Sequence, residues 1–122
     1  MRKRILVVDD EANIRELYKQ ELEDEGYEVA TVASAREASH LIQRQVPDLM
    51  ILDIEMAGQD GLSYLRELME THRDLPVVIS SAYPTYKDDF SSWLAEAYVV
   101  KSADLDPLKE KVRDILAEKS RG

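Results

Sequence analysis

The sequence contains no cysteine. Disulfides, thiolate nucleophiles and cysteine-ligated zinc or iron–sulfur centres are therefore excluded. Histidine occurs only at His40 and His72, both within helical patterns, which argues against a histidine-based metal site. Positive charge is scarce: 16 Lys and Arg stand against 25 Asp and Glu, for a formal net charge of −9. A surface this acidic repels a phosphate backbone, so direct nucleic-acid binding is not expected. Proline and glycine number only 4 each, and 44% of residues are hydrophobic, a composition that supports a packed core rather than disorder. No apolar run approaches the roughly 20 residues of a membrane-spanning helix. The basic start, Met1-Arg-Lys-Arg4, is followed by only Ile5-Leu-Val-Val8 before Asp9, too short for a signal peptide. The expectation is one cytoplasmic domain over residues 1–122, with no membrane contact.

Short apolar runs alternate with helical patterns. Ile5–Val8, Leu49–Leu52, Val77–Ile79 and Tyr98–Val100 read as buried parallel strands, and Glu28–Val32 as a weaker one. Ile14, Leu17, Tyr18 and Leu22 fit a helix that ends near Gly26. Ser34-Ala-Arg-Glu37 has the form of a capping box before a helix carrying Ala38, Leu41 and Ile42. Gly58 and Gly61 bracket a turn that leads into a helix with Leu62, Leu65, Leu68 and Met69. Between Tyr83 and Glu96 the pattern is loose; Phe90, Trp93, Leu94 and Ala97 suggest one helical face. Asp106-Pro107 looks like an N-cap and first helical residue, and Leu105, Leu108, Val112, Ile115 and Leu116 mark the last helix. Five strands alternating with five helices predict an α/β fold, a doubly wound parallel sheet with helices on both faces. In such sheets ligands bind beyond the carboxyl ends of the strands, where the strand order reverses.

The residues at those ends are all polar. Strand 1 ends in Asp9-Asp10, strand 3 in Asp53, strand 4 in Ser81 and strand 5 in Lys101. Taken singly, an Asp in this place more often starts a turn or caps the next helix. Taken together, three carboxylates on one rim repel each other, and either raise a pKa or hold a cation. Magnesium prefers oxygen and keeps several waters, so one or two carboxylates and a backbone carbonyl suffice for it. A lysine and a hydroxyl beside such a centre suit a phosphoryl group, with an Asp carboxylate able to act as nucleophile.

The chain resembles the receiver domain of two-component response regulators over essentially its whole length. The matching pieces are Leu6-Val-Val-Asp9-Asp10, Leu52-Asp53-Ile-Glu-Met-Ala-Gly58-Gln-Asp60-Gly61, Pro76-Val-Val-Ile-Ser-Ser81-Ala82 and Tyr98-Val-Val-Lys101. The resemblance implies a flavodoxin-like, CheY-like sheet of order 2-1-3-4-5 flanked by five helices. It implies that Asp53 is the phosphoacceptor, with Lys101 pairing with the phosphate and Ser81 turning toward it. It implies Mg2+ held by Asp10, Asp53 and the backbone carbonyl of Glu55, with Asp9 in support. It makes Ser81 and Tyr98 the switch residues, and Glu55 and Tyr83 the residues that tune phosphate lifetime. Its partners would be a histidine kinase or histidine phosphotransfer protein and a downstream effector, with a homodimer as an open option. The output face would comprise the helix between Tyr83 and Glu96, the fifth strand and the last helix.

Three departures from the family pattern stand out: Ala57 replaces a usual Pro, Ser102 replaces the Pro that follows Lys101 in a cis bond, and Glu96-Ala97 replaces Gly-Ala. A cis bond before a non-proline residue costs about 3 kcal/mol, which favours a trans bond before Ser102. The functional expectation is a phosphorylation-activated signalling switch, not an enzyme with an external substrate. The alternative is a receiver-like interaction module that works without phosphate. A small Asp-nucleophile phosphatase fits less well, because Glu55 stands where such enzymes place a second Asp.

Overall fold

The computed structural model describes residues 2–58, 60–84 and 93–120. Its elements are β1 (Arg4–Val8), α1 (Ala12–Asp24), β2 (Glu28–Val32), α2 (Ala35–Arg44), β3 (Leu49–Leu52), α3 (Gly61–Thr71), β4 (Val77–Ser81), β5 (Ala97–Val100) and α4 (Asp106–Ser120). The strands form one parallel sheet in the order β2-β1-β3-β4-β5. The chain thus reverses its direction of travel across the sheet between β1 and β3, where the expected order puts the crevice.

Strand alternation divides the core. Leu6, Val8, Met50, Leu52, Val77 and Ile79 pack with α2 and α3 residues such as Ala38, Ile42, Leu65 and Leu68. Ile5, Val7, Leu49, Ile51 and Val78 face the other way, against Tyr18 and Leu22 of α1 and Leu108, Val112 and Leu116 of α4. Burial on both faces explains why β1, β3 and β4 read as uninterrupted apolar runs. Val8, Leu52, Ile79 and Tyr98 lie in one row of the sheet. Asp9 and Asp53 follow the first two of these directly, so register alone sets the two carboxylates side by side.

Local signals act largely as expected. Gly26 adopts φ 99° and donates its N–H to the Glu23 carbonyl at 2.9 Å, closing α1. Ser34 Oγ accepts from Glu37 N–H at 3.1 Å, and the Glu37 carboxylate reaches back to the N–H of Ala33 at 2.7 Å. Asp60 caps α3 through Leu62 N–H at 3.0 Å and Ser63 Oγ at 2.8 Å. Several boundaries differ. β4 runs on through Ser80 and Ser81, which pair with Val99 and Val100. α4 begins at Asp106, whose N–H donates to Asp104 Oδ1 at 3.0 Å, and the Leu105 carbonyl takes the first helical bond from Lys109. Leu17 is exposed, because the buried stripe of α1 runs through Tyr18 and Leu22. Ala97 belongs to β5, and Trp93 and Leu94 are exposed rather than part of a buried helical face. Most of the expected helix between Tyr83 and Glu96, including Phe90, lies outside the described residues, which contain four helices. No described peptide bond is cis, so the bond before Ser102 is trans. No described helix is long and apolar enough to cross a membrane.

Candidate functional site

Asp9, at the end of β1, is buried, and its backbone N–H is fixed by the Val32 carbonyl at 3.1 Å. Its Oδ1 accepts from Glu11 N–H at 2.9 Å, so it does act as a turn-forming residue before α1. Its Oδ2 pairs with Lys101 Nζ at 2.9 Å. Asp53, at the end of β3, repeats the pattern. Its N–H bonds the Val8 carbonyl at 2.9 Å, its Oδ1 accepts from Glu55 N–H at 2.9 Å, and its Oδ2 lies 3.4 Å from Lys101 Nζ. Each aspartate thus commits one carboxylate oxygen to the turn that follows it and turns the other toward Lys101.

Asp10 is exposed and reaches across to the loop after β3, where its Oδ2 accepts from Ala57 N–H at 2.8 Å. Alanine at position 57 supplies the N–H for this bond; the proline usual there would have none. Carboxylate oxygens of Asp9, Asp10 and Asp53 all lie within 4.8 Å of one another. Lys101 is carried into this group by β5, its own N–H bonding the Ser81 carbonyl at 2.7 Å, and its side chain is only 13% exposed. Glu11 adds a longer contact of 3.9 Å to the same ammonium.

Burial pushes the Asp53 carboxyl above its ordinary pKa; the Glu55 N–H bond and Lys101 oppose this, and the Asp9 charge adds to it. Burial would by itself lower the Lys101 pKa, but the Asp9 hydrogen bond and the charges of Asp53, Asp9 and Glu11 outweigh it and the net shift is upward. Three carboxylates set against one ammonium leave two uncompensated negative charges. An oxygen-lined, anionic and partly open group of this kind fits a divalent cation of the magnesium type.

The end of β4 forms the other wall. Ser80 and Ser81 point to opposite faces. Ser80 Oγ is buried and pairs with Tyr18 OH at 2.9 Å; burial raises the Tyr18 pKa, against the lowering effect of that bond. Ser81 Oγ donates to Glu55 Oε1 at 2.7 Å and accepts from Tyr83 N–H at 3.1 Å. Glu55 Oε1 also accepts from Ala82 N–H at 3.0 Å. Tyr98 packs on the α2–α3 side of the sheet, opposite to Ala97 and Val99, and its hydroxyl donates to the Tyr83 carbonyl at 2.6 Å. The structure thus joins Asp9, Asp10, Asp53 and Lys101 in one group, and Glu55, Ser81, Tyr83 and Tyr98 in a second one beside it. Tyr83 enters through its backbone; its side chain is exposed.

Sequence reasoning missed three supports. Arg15 donates to the Asp9 carbonyl at 2.8 Å, on the turn of α1 that follows the acidic pair. The helical spacing marks Tyr18 only as core, whereas its hydroxyl anchors β4 through Ser80. The sequence marks Gly61 only as one of two glycines that bracket a turn. It is needed for close packing: a Cβ there would collide with Ile54 Cα and stand 2.9 Å from the Asp53 carbonyl oxygen.

A receiver-domain sheet with its acidic rim and lysine defines the class, and comparison with known proteins agrees. The response regulator receiver domain family matches residues 5–113, and the chain belongs to that family. A crystal structure of response regulator TrrA from Thermotoga maritima in complex with Mg(2+)-BeF has a TM-score of 0.89 at 50% identity, covering 93% of this chain and 98% of that one. A CheY-like receiver domain from Methanospirillum hungatei gives a TM-score of 0.91 at 30% identity, covering 99% and 98%. The virulence transcriptional regulatory protein PhoP of Salmonella typhimurium is 30% identical over 119 residues, which are 96% of this chain and 53% of PhoP. The chain therefore spans about half the length of PhoP.

Proposed function

We propose that this receiver domain takes a phosphoryl group onto Asp53 in a divalent-metal-dependent transfer and uses it to switch the surface around Tyr98. The observation that carries the proposal is the Asp9–Lys101–Asp53 arrangement, with Lys101 Nζ 2.9 Å from Asp9 and 3.4 Å from Asp53, beside exposed Asp10. Thermotoga maritima TrrA, half identical to this chain, has been crystallised in complex with Mg(2+)-BeF and also with the histidine kinase ThkA. Both support a metal, a phosphoryl-like ligand and a histidine kinase as partners here.

Asp10 and Asp53, with Asp9 in support and the Glu55 carbonyl, would hold magnesium. The ion supplies charge neutralisation for the transferring group. Asp53 attacks the phosphorus of a phosphohistidine on the kinase or a phosphotransfer protein. The P–N bond breaks as the bond to the Asp53 oxygen forms, and the histidine nitrogen takes up the displaced electron pair. Lys101, held charged by its acidic neighbours, moves with the charge that develops on the phosphoryl oxygens. Ser81 supplies a hydroxyl donor from β4. Its rearrangement would reach Tyr98 through the Tyr83 backbone, to which both are bonded. Glu55 and Tyr83 overlook the same opening and would set how long the phosphoryl group survives. A downstream effector would read the changed face, and a second copy of the chain is one option for it. The whole chain would act as a single receiver domain that turns over no external metabolite.

The direct test is intact-mass measurement after incubation with a small phosphodonor and magnesium. The parent should gain the mass of one phosphoryl group and Asp53→Asn should gain none. Equal gain by both would overturn the assignment.

A further inference from the structure

Glu55 lies two residues past Asp53, and its side chain turns to the end of β4. One oxygen, Oε1, collects both Ser81 Oγ at 2.7 Å and Ala82 N–H at 3.0 Å. The Ser81 hydroxyl has a single proton. The Tyr83 carbonyl also lies 3.0 Å from Ser81 Oγ, but the carboxylate is the nearer and stronger acceptor, so the proton points to Glu55. The lone pairs of that hydroxyl then receive Tyr83 N–H at 3.1 Å, and the Tyr83 carbonyl receives Tyr98 OH at 2.6 Å. An anion therefore already sits on the donors at the end of β4 and is linked by a continuous hydrogen-bonded path to Tyr98.

A phosphoryl group brings about −1.5 to −2 charge and three acceptor oxygens. Lys101 serves it from the Asp9 side. For Ser81 to serve it as well, the hydroxyl proton must leave Glu55, since one proton cannot satisfy two anions. Resting on the reading of Asp53 as phosphoacceptor, we propose that the Glu55 carboxylate is an internal competitor of the phosphoryl group. It occupies the Ser81 hydroxyl and Ala82 N–H in the unphosphorylated protein and gives them up on phosphorylation. The free energy that drives the switch is then the gain made by the phosphoryl group less the loss of the Glu55 contacts. Release of Glu55 also changes the acceptor role of Ser81 toward Tyr83, which passes the event to Tyr98.

The test is a double-mutant cycle read by binding of beryllofluoride at saturating magnesium, using calorimetry or amide chemical shifts on the full chain. Glu55→Ala should bind roughly tenfold more tightly than the parent, the scale of one charge-assisted hydrogen bond. In a Ser81→Ala background the same replacement should give a clearly smaller gain, about threefold, because the hydroxyl proton is gone and only the Ala82 N–H is still contested. Unchanged or weaker binding in Glu55→Ala overturns the proposal. An equal gain in both backgrounds also overturns it, since Glu55 would then act only as a nearby charge. A parent that binds beryllofluoride without the Glu55→Ala gain refutes the competitor and leaves the phosphoacceptor standing. A parent that neither binds beryllofluoride nor takes up a phosphoryl group refutes both.

Discussion

Replacing Asp53 with asparagine should raise the stability of the metal-free protein, although it removes the proposed phosphoacceptor. Asp53 is 2% exposed and shares its rim with two further carboxylates. At an effective dielectric near 20, its contact with Lys101 at 3.4 Å gives about 5 kcal/mol of attraction. The oxygens of Asp9 and Asp10 lie within 4.8 Å; at that separation buried Asp9 opposes it with at least about 3.5 kcal/mol, and exposed, water-screened Asp10 with less. Attraction and repulsion nearly cancel. The Glu55 N–H bond contributes about 1.5 kcal/mol, against a desolvation penalty of several kcal/mol for the buried ion. The balance is unfavourable to the ionised form, in agreement with the raised pKa and its leading cause, burial. Asparagine keeps the shape and the acceptor for Glu55 N–H, and Lys101 retains Asp9 at 2.9 Å. The expected gain is about 1–2 kcal/mol, or about 4–8 °C in Tm.

The sign with pH follows from proton binding. A carboxylate raised in the folded state makes the native protein bind more protons than the unfolded chain between the two pKa values, so the parent loses stability as pH rises through that window. The asparagine variant has no such titration. Its advantage should be absent below the ordinary carboxylate range and complete above the raised value. Magnesium, binding the native parent, should shrink or reverse the difference by mass action. Urea and thermal unfolding at low ionic strength, from about pH 4 to about pH 8 with and without magnesium, measure all of this. A variant less stable than the parent in chelator at neutral pH, or a gap that does not widen with pH, would refute the reasoning.

Two further outcomes are expected. Asp10→Asn should weaken magnesium binding at least about tenfold while changing stability by less than about 1 kcal/mol, because an amide oxygen can still accept from Ala57 N–H; a magnesium titration followed by amide shifts checks it, and unchanged affinity would remove Asp10 from the ligand set. Gly61→Ala should destabilise by about 1–3 kcal/mol and slow phosphorylation, since the added methyl drives into Ile54 and the Asp53 carbonyl; thermal unfolding with a phosphorylation time course tests it, and a variant with the parent's stability would show that the close approach is not limiting.

The legible part of this molecule is the part governed by periodicity and register. Buried runs such as Leu49–Leu52 are apolar because both faces are covered, and the polar residue that ends each run marks the rim without further information. The conformation of Gly26 and the cap at Ser34 were readable for the same reason: each depends on only a few neighbouring residues. What was not legible depends on where long side chains end. The position of Glu55 two residues past Asp53 marks it as overhanging the rim, but nothing in the spacing shows that it turns 26 residues away to Ser81 rather than to water. Tyr18 is likewise indistinguishable in sequence from any aromatic on a helix stripe, since its periodic place is satisfied whether or not the hydroxyl finds Ser80.

That Tyr18–Ser80 bond constrains how the proposed switch would move. It ties β4 to α1 at the residue just before Ser81, inside the core, where breaking it would leave two buried hydroxyls unpaired at about 1–3 kcal/mol each. β4 is also paired on both sides, to β3 and to β5. A shift of the whole strand would disturb all of these contacts at once. Rotation of the Ser81 hydroxyl from Glu55 toward a phosphoryl group disturbs only the bonds at the rim, those to Glu55 and the Tyr83 backbone. On the proposed reading the adjacent serines would divide the work by strand parity: Ser80 would hold β4 still, so that a change in which anion Ser81 serves would pass outward to Tyr83 and Tyr98 rather than be absorbed by movement of the sheet.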